Sequence, residues 1–209
     1  GDDGGVGVTP TAGTGITPTT EFELPPAVTP TSGGGIVTPE LPPAQLPGST
    51  NTGLTGRVVY NSNADGDEEI YVTDLSTALT TRLTDNSASD IAPAWSHDGT
   101  RIAFASNRTG NWDVYTMRAD GTNVVNLTNS PGYDESRPSW KFDGTAIAWD
   151  AFVNGNQDIW SYDIATSHAK RCTTNASADV EPHYDQLWQS AWITFSSNRD
   201  GSWGVFGTE

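Results

Sequence analysis

The sequence of 209 residues is short of cysteine, of positive charge and of long apolar runs. Its single cysteine, Cys172, rules out an internal disulfide framework. Only 10 Lys and Arg residues oppose 26 Asp and Glu residues, and the formal net charge is −16. Acidity at this level argues against binding to nucleic-acid phosphates or anionic lipid through electrostatics alone. No apolar run reaches the roughly 18 residues of a membrane span, so the sequence predicts no transmembrane helix.

The first 50 residues also lack the groups that build a core. They contain no Lys, no Arg and no Trp, and Thr, Pro and Gly dominate them. Such a segment cannot offset its ordering entropy by burying apolar surface. We therefore divide the chain into a low-complexity Thr/Pro-rich arm or linker, residues 1–54, and a folded part, residues 55–209.

The arm repeats short motifs, and these allow two interpretations. Val/Ile-Thr-Pro units begin at residues 8, 16, 28 and 37, and ELPPA occurs at 23–27 and 40–44. The first interpretation is a stiff spacer between modules. The second is that the stretch Glu21-Phe22-Glu23-Leu24, or the stretch GIV at 35–37, adds to an open sheet edge as an extra strand.

The folded part is an internal repeat. A glycine recurs at spacings of 44, 45 and 46 residues in four polar loops, at Gly66, Gly110, Gly155 and Gly201. An apolar triplet precedes each loop, at 58–60, 102–104, 147–149 and 193–195. An apolar pair follows each loop: Ile70-Tyr71, Val114-Tyr115, Ile159-Trp160 and Val205-Phe206. This frame predicts short β-strands joined by hairpins, with each loop glycine at positive φ.

Each unit contains four short strands, which is the make-up of a β-propeller blade of about 40 to 50 residues. The first unit begins with the second strand of a blade and the last stops after the third strand. The count is fourteen strands, or three and a half blades. Propellers close with about four to eight blades. We therefore expect open sheet edges near Val58 and near Val205.

The stretch WSHDGTRIAFASNRTGNWDVYTMRADGTNVVNLT, from Trp95 to Thr128, resembles the WD-like repeat of TolB-type β-propellers. The resemblance covers residues 57–209, with departures at His97, at Cys172 and in the segment 185–190. It implies an all-β propeller, commonly of six blades, found in periplasmic or extracellular proteins and in propeller domains attached to peptidases. It also implies binding rather than chemistry.

The first hairpin loop, NSNADGDEEIY at 61–71, alternates oxygen-bearing side chains as a calcium loop does. Gly66 stands at the sixth position, as in an EF-hand, but the twelfth position is Val72 instead of a bidentate Glu. The residues that follow alternate as a strand does. We interpret the loop as a hairpin of the repeat, and calcium binding by Asp65, Asp67 and Glu69 is the alternative.

A second candidate cation site comes from three carboxylates at one position of successive units, Asp90, Glu135 and Asp179. Each lies three residues before the proline expected to start an innermost strand, at Pro93, Pro138 or Pro182. Since the starts of innermost strands surround a propeller channel, the carboxylates would converge at one channel mouth. There they would hold a cation such as calcium, or a basic peptide group. The alternative is that each caps a local turn.

The sequence contains no nucleophile elbow, Cys/His cluster or phosphate loop. We therefore predict a non-enzymatic module without a cofactor that binds protein and assembles with copies of itself. It would be a homo-oligomer or surface filament joined through the arm, outside the cell, on its surface or in the periplasm. Trp112 and Trp203, beside hairpin loops, are candidate partner contacts. The alternatives are an accessory propeller of a longer hydrolase or peptidase, and a carbohydrate- or cation-binding module.

Because the chain starts at Gly1 without a visible signal peptide, we expect a processed product or a part of something longer. The repeated apolar positions also predict the core. We expect six large side chains to fill it: Phe104, Trp149, Phe195, Trp95, Trp140 and Tyr184.

Overall fold

The computed structural model describes residues 55–64, 66–185 and 192–208 of the chain. These residues form fourteen β-strands and no helix. The strands are β1 (Arg57–Ser62), β2 (Glu69–Asp74), β3 (Leu79–Arg82), β4 (Asp90–Trp95), β5 (Arg101–Ser106), β6 (Asp113–Arg118), β7 (Val125–Asn126), β8 (Asp134–Trp140), β9 (Ala146–Val153), β10 (Asn156–Asp163), β11 (His168–Arg171), β12 (Asp179–Tyr184), β13 (Ile193–Ser197) and β14 (Gly204–Thr208). The predicted all-β fold and the predicted number of strands are confirmed.

Neighbouring strands pair antiparallel into four sheets. The first sheet is β1-β2-β3, the second is β4-β5-β6-β7, the third is β8-β9-β10-β11 and the fourth is β12-β13-β14. Within the described residues, β1 and β14 are edge strands of the two three-stranded sheets. The open edges expected near Val58 and Val205 therefore lie where the repeat predicts them.

The hairpin loops need glycine because their backbone enters the positive-φ region. Gly66, Gly110, Gly155 and Gly201 have φ values of 121°, 104°, 86° and 82°. A side chain at these positions would strain the backbone. The four regularly spaced glycines therefore mark four hairpin loops, one in each sheet, as the sequence predicts.

Every sheet contains a cross-strand aromatic pair, on β1 and β2 in the first sheet and on the second and third strands of the other three. The register places Tyr60 opposite Tyr71, Phe104 opposite Tyr115, Trp149 opposite Trp160 and Phe195 opposite Phe206. Cross-strand aromatic pairs of this kind stabilise antiparallel sheets. Each blade therefore has the same aromatic centre.

The core consists of three apolar clusters, one between each pair of successive sheets. Of the six predicted core residues, five are buried, namely Phe104, Trp149, Phe195, Trp140 and Tyr184. Trp95 is only partly buried and packs at the margin of the first cluster. Its exposed face is covered by the Arg57 guanidinium, 4.5 Å from the ring centroid.

The innermost strands begin earlier than predicted, which is a correction to the sequence interpretation. Pro93, Pro138 and Pro182 lie inside β4, β8 and β12 instead of starting them. Pairing with the neighbouring strand holds on both sides of each proline and breaks at it. Proline has no N–H to donate to the ladder, so the strand forms a bulge there and continues.

None of the described residues forms a helix of the length and apolarity that a membrane crossing requires.

Candidate binding cleft on the inner strands

The bulges of β4, β8 and β12 surround a cleft of about 560 Å³. The fourth sheet closes one side of it with residues of β13 and β14. Its lining is Ala92, Pro93, Ala94, Arg137, Pro138, Glu181, Pro182, His183, Thr194, Phe195, Ser196 and Val205. A smaller cleft of about 320 Å³ is confined to the second sheet and its loops. The larger cleft is the better candidate site, because three sheets contribute to it.

The residue before each proline is held at positive φ. Ala92, Arg137 and Glu181 have φ values of 51°, 52° and 55°, a conformation that costs a non-glycine residue free energy. Neighbouring sheets support two of the three. The Ala92 N–H donates to Oδ1 of Asn61 at 3.2 Å, and the Glu181 N–H donates to Oδ2 of Asp150 at 2.9 Å. The cleft wall therefore contains three residues with strained backbone. Side chains of the preceding sheet hold two of them, Ala92 and Glu181.

Asp150 links the third and fourth sheets below the cleft. Its carboxylate accepts a hydrogen bond from Nε of Arg137 at 2.6 Å as well as the one from Glu181. Burial raises the pKa of Asp150, and the Arg137 hydrogen bond opposes that rise. The sequence analysis missed Asp150. The available signal was an acid at a repeat position that holds Asn61, Ala105 and Ser196 in the other units.

The charge of the cleft is unevenly compensated. Arg137 is ion-paired with Asp150, whereas the exposed Glu181 has no ion pair among the described residues. His183 is also exposed, on the same strand. The uncompensated charge beside the cleft is therefore negative.

Two of the three carboxylates predicted to share a cation instead hold an arginine of their own sheet. Nη2 of Arg108 donates to both Asp90 oxygens at 2.9 Å, and Asn86 donates to Oδ2. Nη2 of Arg199 donates to both Asp179 oxygens at 3.1 and 3.2 Å. In each pair a single guanidinium nitrogen is shared by the two carboxylate oxygens, and the pair joins the start of β4 or β12 to the hairpin loop of the same sheet.

Glu135 occupies the same position but has no arginine. In its sheet Val153 stands where the others have Arg108 and Arg199, and Ala151 stands where they have a serine. The Glu135 side chain is buried, and its Oε2 has no hydrogen-bond partner. Burial is the main cause that raises its pKa to about 7, and the nearby Asp113 carboxylate adds to the rise.

The three carboxylates do not line the cleft, and the described residues contain no group of three or more His, Cys, Asp or Glu side chains placed to hold a metal ion. The structure therefore does not bring Asp90, Glu135 and Asp179 together. Asp90 and Asp179 each bind an arginine of their own sheet, and Glu135 is buried in its own sheet without one. This arrangement agrees better with the alternative, in which each carboxylate makes local structural contacts.

The structure describes two of the three candidate calcium ligands of the first hairpin loop, Asp67 and Glu69. Asp65 lies outside the described residues, and Asp67 is half-buried in the turn. Glu69 is buried at the start of β2, where its Oε1 accepts from Nη2 of Arg82 at 3.0 Å and from the Asn86 N–H at 2.7 Å. Asp113 and Asp158 hold the same buried position in the next two sheets. The repeat position of Glu69 therefore holds a buried acidic side chain in each of the first three sheets.

The predicted partner contacts differ in accessibility. Trp203 is well exposed in the last hairpin loop, just before β14, whereas Trp112 is half-buried. The Trp112 carbonyl accepts a hydrogen bond from the Glu135 N–H at 2.9 Å. The arm residues Glu21, Phe22, Glu23 and Leu24 lie outside the described residues.

Comparison with known proteins shows what this architecture is similar to. The family model of the TolB beta propeller domain matches residues 52–151. The Tol-Pal system protein TolB of Desulfosudis oleivorans is 39% identical over 59 residues, which is 28% of this chain and 14% of that protein. The chain contains TolB-like β-propeller repeats.

Solved structures show the same fold. The TolB-like repeats superpose on TolB from Acinetobacter baumannii with a TM-score of 0.65 and 24% identity, over 73% of this chain and 38% of that chain. They superpose on a puromycin-hydrolyzing peptidase of Mycobacterium tuberculosis with a TM-score of 0.56 and 15% identity, over 73% of this chain and 25% of that chain. The chain thus spans well under half the length of each of these proteins.

Proposed function

We propose that the chain is a non-enzymatic, protein-binding module whose inner-strand cleft takes an extended segment of a partner protein. The observation that supports this most is the cleft, about 560 Å³ in volume and ringed by three strands. Within the described residues, β4, β8 and β12 are all edge strands on the cleft side. Unpaired N–H and C=O groups of edge strands bind extended peptides, and adjacent pockets select their side chains.

The lining defines the kind of segment. Ala92, Pro93, Ala94 and Val205 offer accessible apolar surface, and Glu181 offers an uncompensated negative charge. The chain as a whole carries a net charge of −16, which attracts basic partners over long range. We propose a segment with small apolar side chains and at least one Lys or Arg placed against Glu181.

The proposed place of action is the periplasm or the cell exterior. It is supported by the TolB-like repeats and by the similarity to a protein named as part of the Tol-Pal system. We also propose that the arm links copies of the chain into a homo-oligomer or filament. That part depends on the length and motifs of the arm and on the open edges of β1 and β14.

An accessory propeller of a longer hydrolase is the second candidate. It is favoured by the shared fold with a peptidase, of which these repeats cover 25%. Reading the gene beyond the codon for Glu209 distinguishes the two candidates. An adjoining hydrolase domain supports the second, and its absence supports the first.

Selection from a library of random peptides displayed on phage tests the protein-binding function. The immobilised full-length chain is the bait, and the selected peptides are synthesised and titrated against it. We expect enrichment of peptides that carry Lys or Arg beside small apolar residues. Failure to enrich any peptide above an unrelated acidic protein contradicts the proposal.

Two charge reversals locate the binding. Glu181→Arg changes the cleft, and we expect it to weaken binding by about tenfold or more, which is about 1.4 kcal/mol. Asp200→Arg makes the same charge change in the exposed last hairpin loop, outside the cleft lining, and serves as the matched control. Equal losses in both variants would mean that net charge, and not the cleft, governs binding.

A further inference from the structure

Each junction between successive sheets carries two buried carboxylates at fixed positions of the repeat. A junction here is the connection from one sheet to the next, at residues 83–89, 127–133 or 172–178, together with the strand starts beside it. One carboxylate stands near the start of the strand that follows the hairpin loop, and the other stands at the start of the next inner strand. The pairs are Glu69 with Asp90, Asp113 with Glu135, and Asp158 with Asp179, and each of these side chains is 0–2% exposed.

Arginine compensates all the carboxylates of the first and third junctions. The ion pairs are Arg82 with Glu69 and Arg108 with Asp90 at the first junction, and Arg171 with Asp158 and Arg199 with Asp179 at the third. Each guanidinium offsets the hydration that a carboxylate loses on burial. Two positive charges therefore balance two negative charges at each of these junctions.

The second junction keeps both carboxylates and has neither arginine. Asn126 and Val153 stand at the two repeat positions that hold arginine at the other junctions. The hydrogen bonds that Asp113 accepts at this junction come from neutral groups. The second junction therefore lacks the two positive charges that the other two junctions contain.

Glu135 is the group of this junction that points to a ligand. Its side chain is 2% exposed, and its Oε2 has no hydrogen-bond partner. After burial, the groups with the largest influence on its pKa are the Thr128 hydroxyl, the Asp113 carboxylate and the Ser130 hydroxyl, so the carboxyl faces into the junction. A buried polar atom without a partner costs free energy, and a cation bound at Oε2 would remove that cost.

Oxygen atoms also outnumber the available protons at the second junction. The side-chain nitrogen of Asn111 lies 2.9–3.4 Å from four oxygens, which are the carbonyls of Trp112, Ser130 and Tyr133 and Oδ1 of Asp113. An amide has two N–H protons, so its hydrogen bonds do not suffice for four acceptors. Asn156 holds the same repeat position in the third sheet and donates to only two oxygens, on Asp158 and Asn175.

The connection at the second junction is one residue longer than the others. The stretch from the buried threonine to the inner-strand carboxylate is 128–135 here, and the corresponding stretches are 84–90 and 173–179. Gly132 adopts a φ of 90° in this longer loop, and the next residue, Tyr133, supplies one of the four oxygens around Asn111. The longer loop therefore adds an oxygen donor at the junction that lacks arginine.

We propose that the second junction binds one calcium ion between the Asp113 and Glu135 carboxylates, with carbonyl oxygens of the loop completing the coordination. One divalent cation supplies the two positive charges that two arginines supply at each of the other junctions. Every candidate ligand is an oxygen, and calcium takes about six to eight oxygen ligands in flexible geometry. Magnesium requires a near-ideal octahedron at shorter distances, so we expect it to bind more weakly.

This site is separate from the cleft and from the shared cation site considered on the sequence. Asp113, Glu135 and Asn111 do not line the cleft. Asp90 and Asp179 are paired with arginine and take no part. When a chelator removes the ion, a proton at Glu135 reduces the negative charge instead, so the protonation of Glu135 is measured in the presence of chelator.

Isothermal titration calorimetry of the full-length chain tests the proposal, after a chelator has removed metal ions and at a pH above neutral. We expect one calcium ion to bind per chain, and magnesium to bind more weakly. Because the ion binds the folded state, we also expect calcium to raise the thermal midpoint.

Two variants locate the ion. Glu135→Gln removes a charge and keeps the size of the side chain, and we expect it to weaken calcium binding by about tenfold or more. The double variant Val153→Arg with Ala151→Ser copies the arginine and serine of the second and fourth sheets. We expect it to lose calcium binding, because the guanidinium then pairs with Glu135.

Asp200→Asn and Asp67→Asn are the controls, since each removes one negative charge from a hairpin loop outside this junction. We expect both to bind calcium as the wild type does. Thermal midpoints in chelator show which variants are folded, and Glu135→Gln decides alone if the double variant is not. A wild type that binds no calcium overturns the proposal. So does binding that Glu135→Gln leaves unchanged, that Asp67→Asn abolishes, or that all single variants weaken equally.

Discussion

At the scale of single residues, Glu135 shows how one position of the repeat is filled in two ways. Asp90 and Asp179 are buried and each is ion-paired with an arginine, which offsets the loss of hydration of the carboxylate. Glu135 is buried beside Val153 and Ala151 with no such partner. A buried carboxyl without a cation favours its protonated form. Below its raised pKa of about 7, a proton at Glu135 therefore takes the place of the arginine in the third sheet.

Glu135 makes the free energy of unfolding depend on pH near neutrality. Its folded pKa is about 7, against an ordinary value of 4.5. Because the folded value is raised, the stability that this group contributes is fully present below about pH 4.5 and is lost as the pH rises through about 7. The difference corresponds to about 3 kcal/mol. We expect Glu135→Gln to be more stable than the wild type by this order at pH 8 and close to it at pH 4.5, measured by urea unfolding.

Restoring the arginine provides the control for Glu135. The double variant Val153→Arg with Ala151→Ser copies the arrangement of Arg108 and Ser106, where Nε of Arg108 donates to the serine hydroxyl at 2.9 Å. We expect it to reduce the loss of stability between pH 4.5 and 8. Burial also raises the pKa of Asp150, so the comparison is with the wild type at each pH. Equal pH dependence in all three proteins would show that Glu135 does not titrate in this range.

Sequence reasoning located the repeated carboxylates but not their partners. The frame identified Asp90, Glu135 and Asp179 because each keeps its distance to a proline. The partner arginines lie 18 and 20 residues further on, in the hairpin loops. Their signal was visible in retrospect, since an Asn-Arg pair precedes the loop glycine only in the sheets whose carboxylate is Asp. The sequence suggested a shared cation because the starts of the inner strands converge. Convergence alone does not show which group each carboxylate is paired with.

At the scale of elements, the inner strands depart most from simple strand rules. A proline normally marks a strand edge or end, which is why the sequence placed the start of each strand at proline. In the structure each proline sits in a bulge, and the ladder resumes after it. The acceptors Asn61 and Asp150 on the preceding sheet support two of these bulges. Contacts between sheets decide the outcome, and local sequence patterns do not contain them.

The inner-strand aromatic of the third sheet is the central packing residue of the element. Trp140 is 3% exposed, donates its Nε1–H to the Ala94 carbonyl at 3.2 Å, and lies under the Arg101 guanidinium. Truncation leaves a large cavity between the second and third sheets. We expect Trp140→Ala to lower the free energy of unfolding by about 3 to 5 kcal/mol. Chemical denaturation with fluorescence detection measures it.

Trp203→Ala is the control for that truncation. Trp203 has the same side chain but is 60% exposed in a hairpin loop, so we expect a change within about 0.5 kcal/mol. A small effect at Trp140, or equal effects at both positions, would contradict the assignment of Trp140 to the inter-sheet core.

At the scale of the whole molecule, the repeat determined most of what sequence could predict. Strand number, hairpin glycines, open edges and the buried aromatic positions all follow from one frame that recurs four times. The cleft was not predicted in detail, because it is formed by bulges of three sheets that are about 45 residues apart in sequence. The sequence pattern of one repeat unit does not show how the next sheet packs against it.

The arm is expected to act at this scale as a connector between copies. Fifty extended residues reach well over 100 Å at about 3.3 Å per residue, which is enough to contact a neighbouring copy. We expect deletion of residues 1–50 to reduce the particle size measured by light scattering. An unchanged particle would rule out the arm as a connector, and a monomeric full-length protein would remove the proposed assembly altogether.

Hydrogen–deuterium exchange of the full-length chain, alone and saturated with the tightest selected peptide, tests most directly whether this is a propeller that binds protein through its inner strands. The account predicts slower exchange of backbone amides in β4, β8 and β12, with the outer strands β3 and β11 unchanged. Peptide binding that slows exchange in the outer strands and leaves the three inner strands unaffected would contradict it.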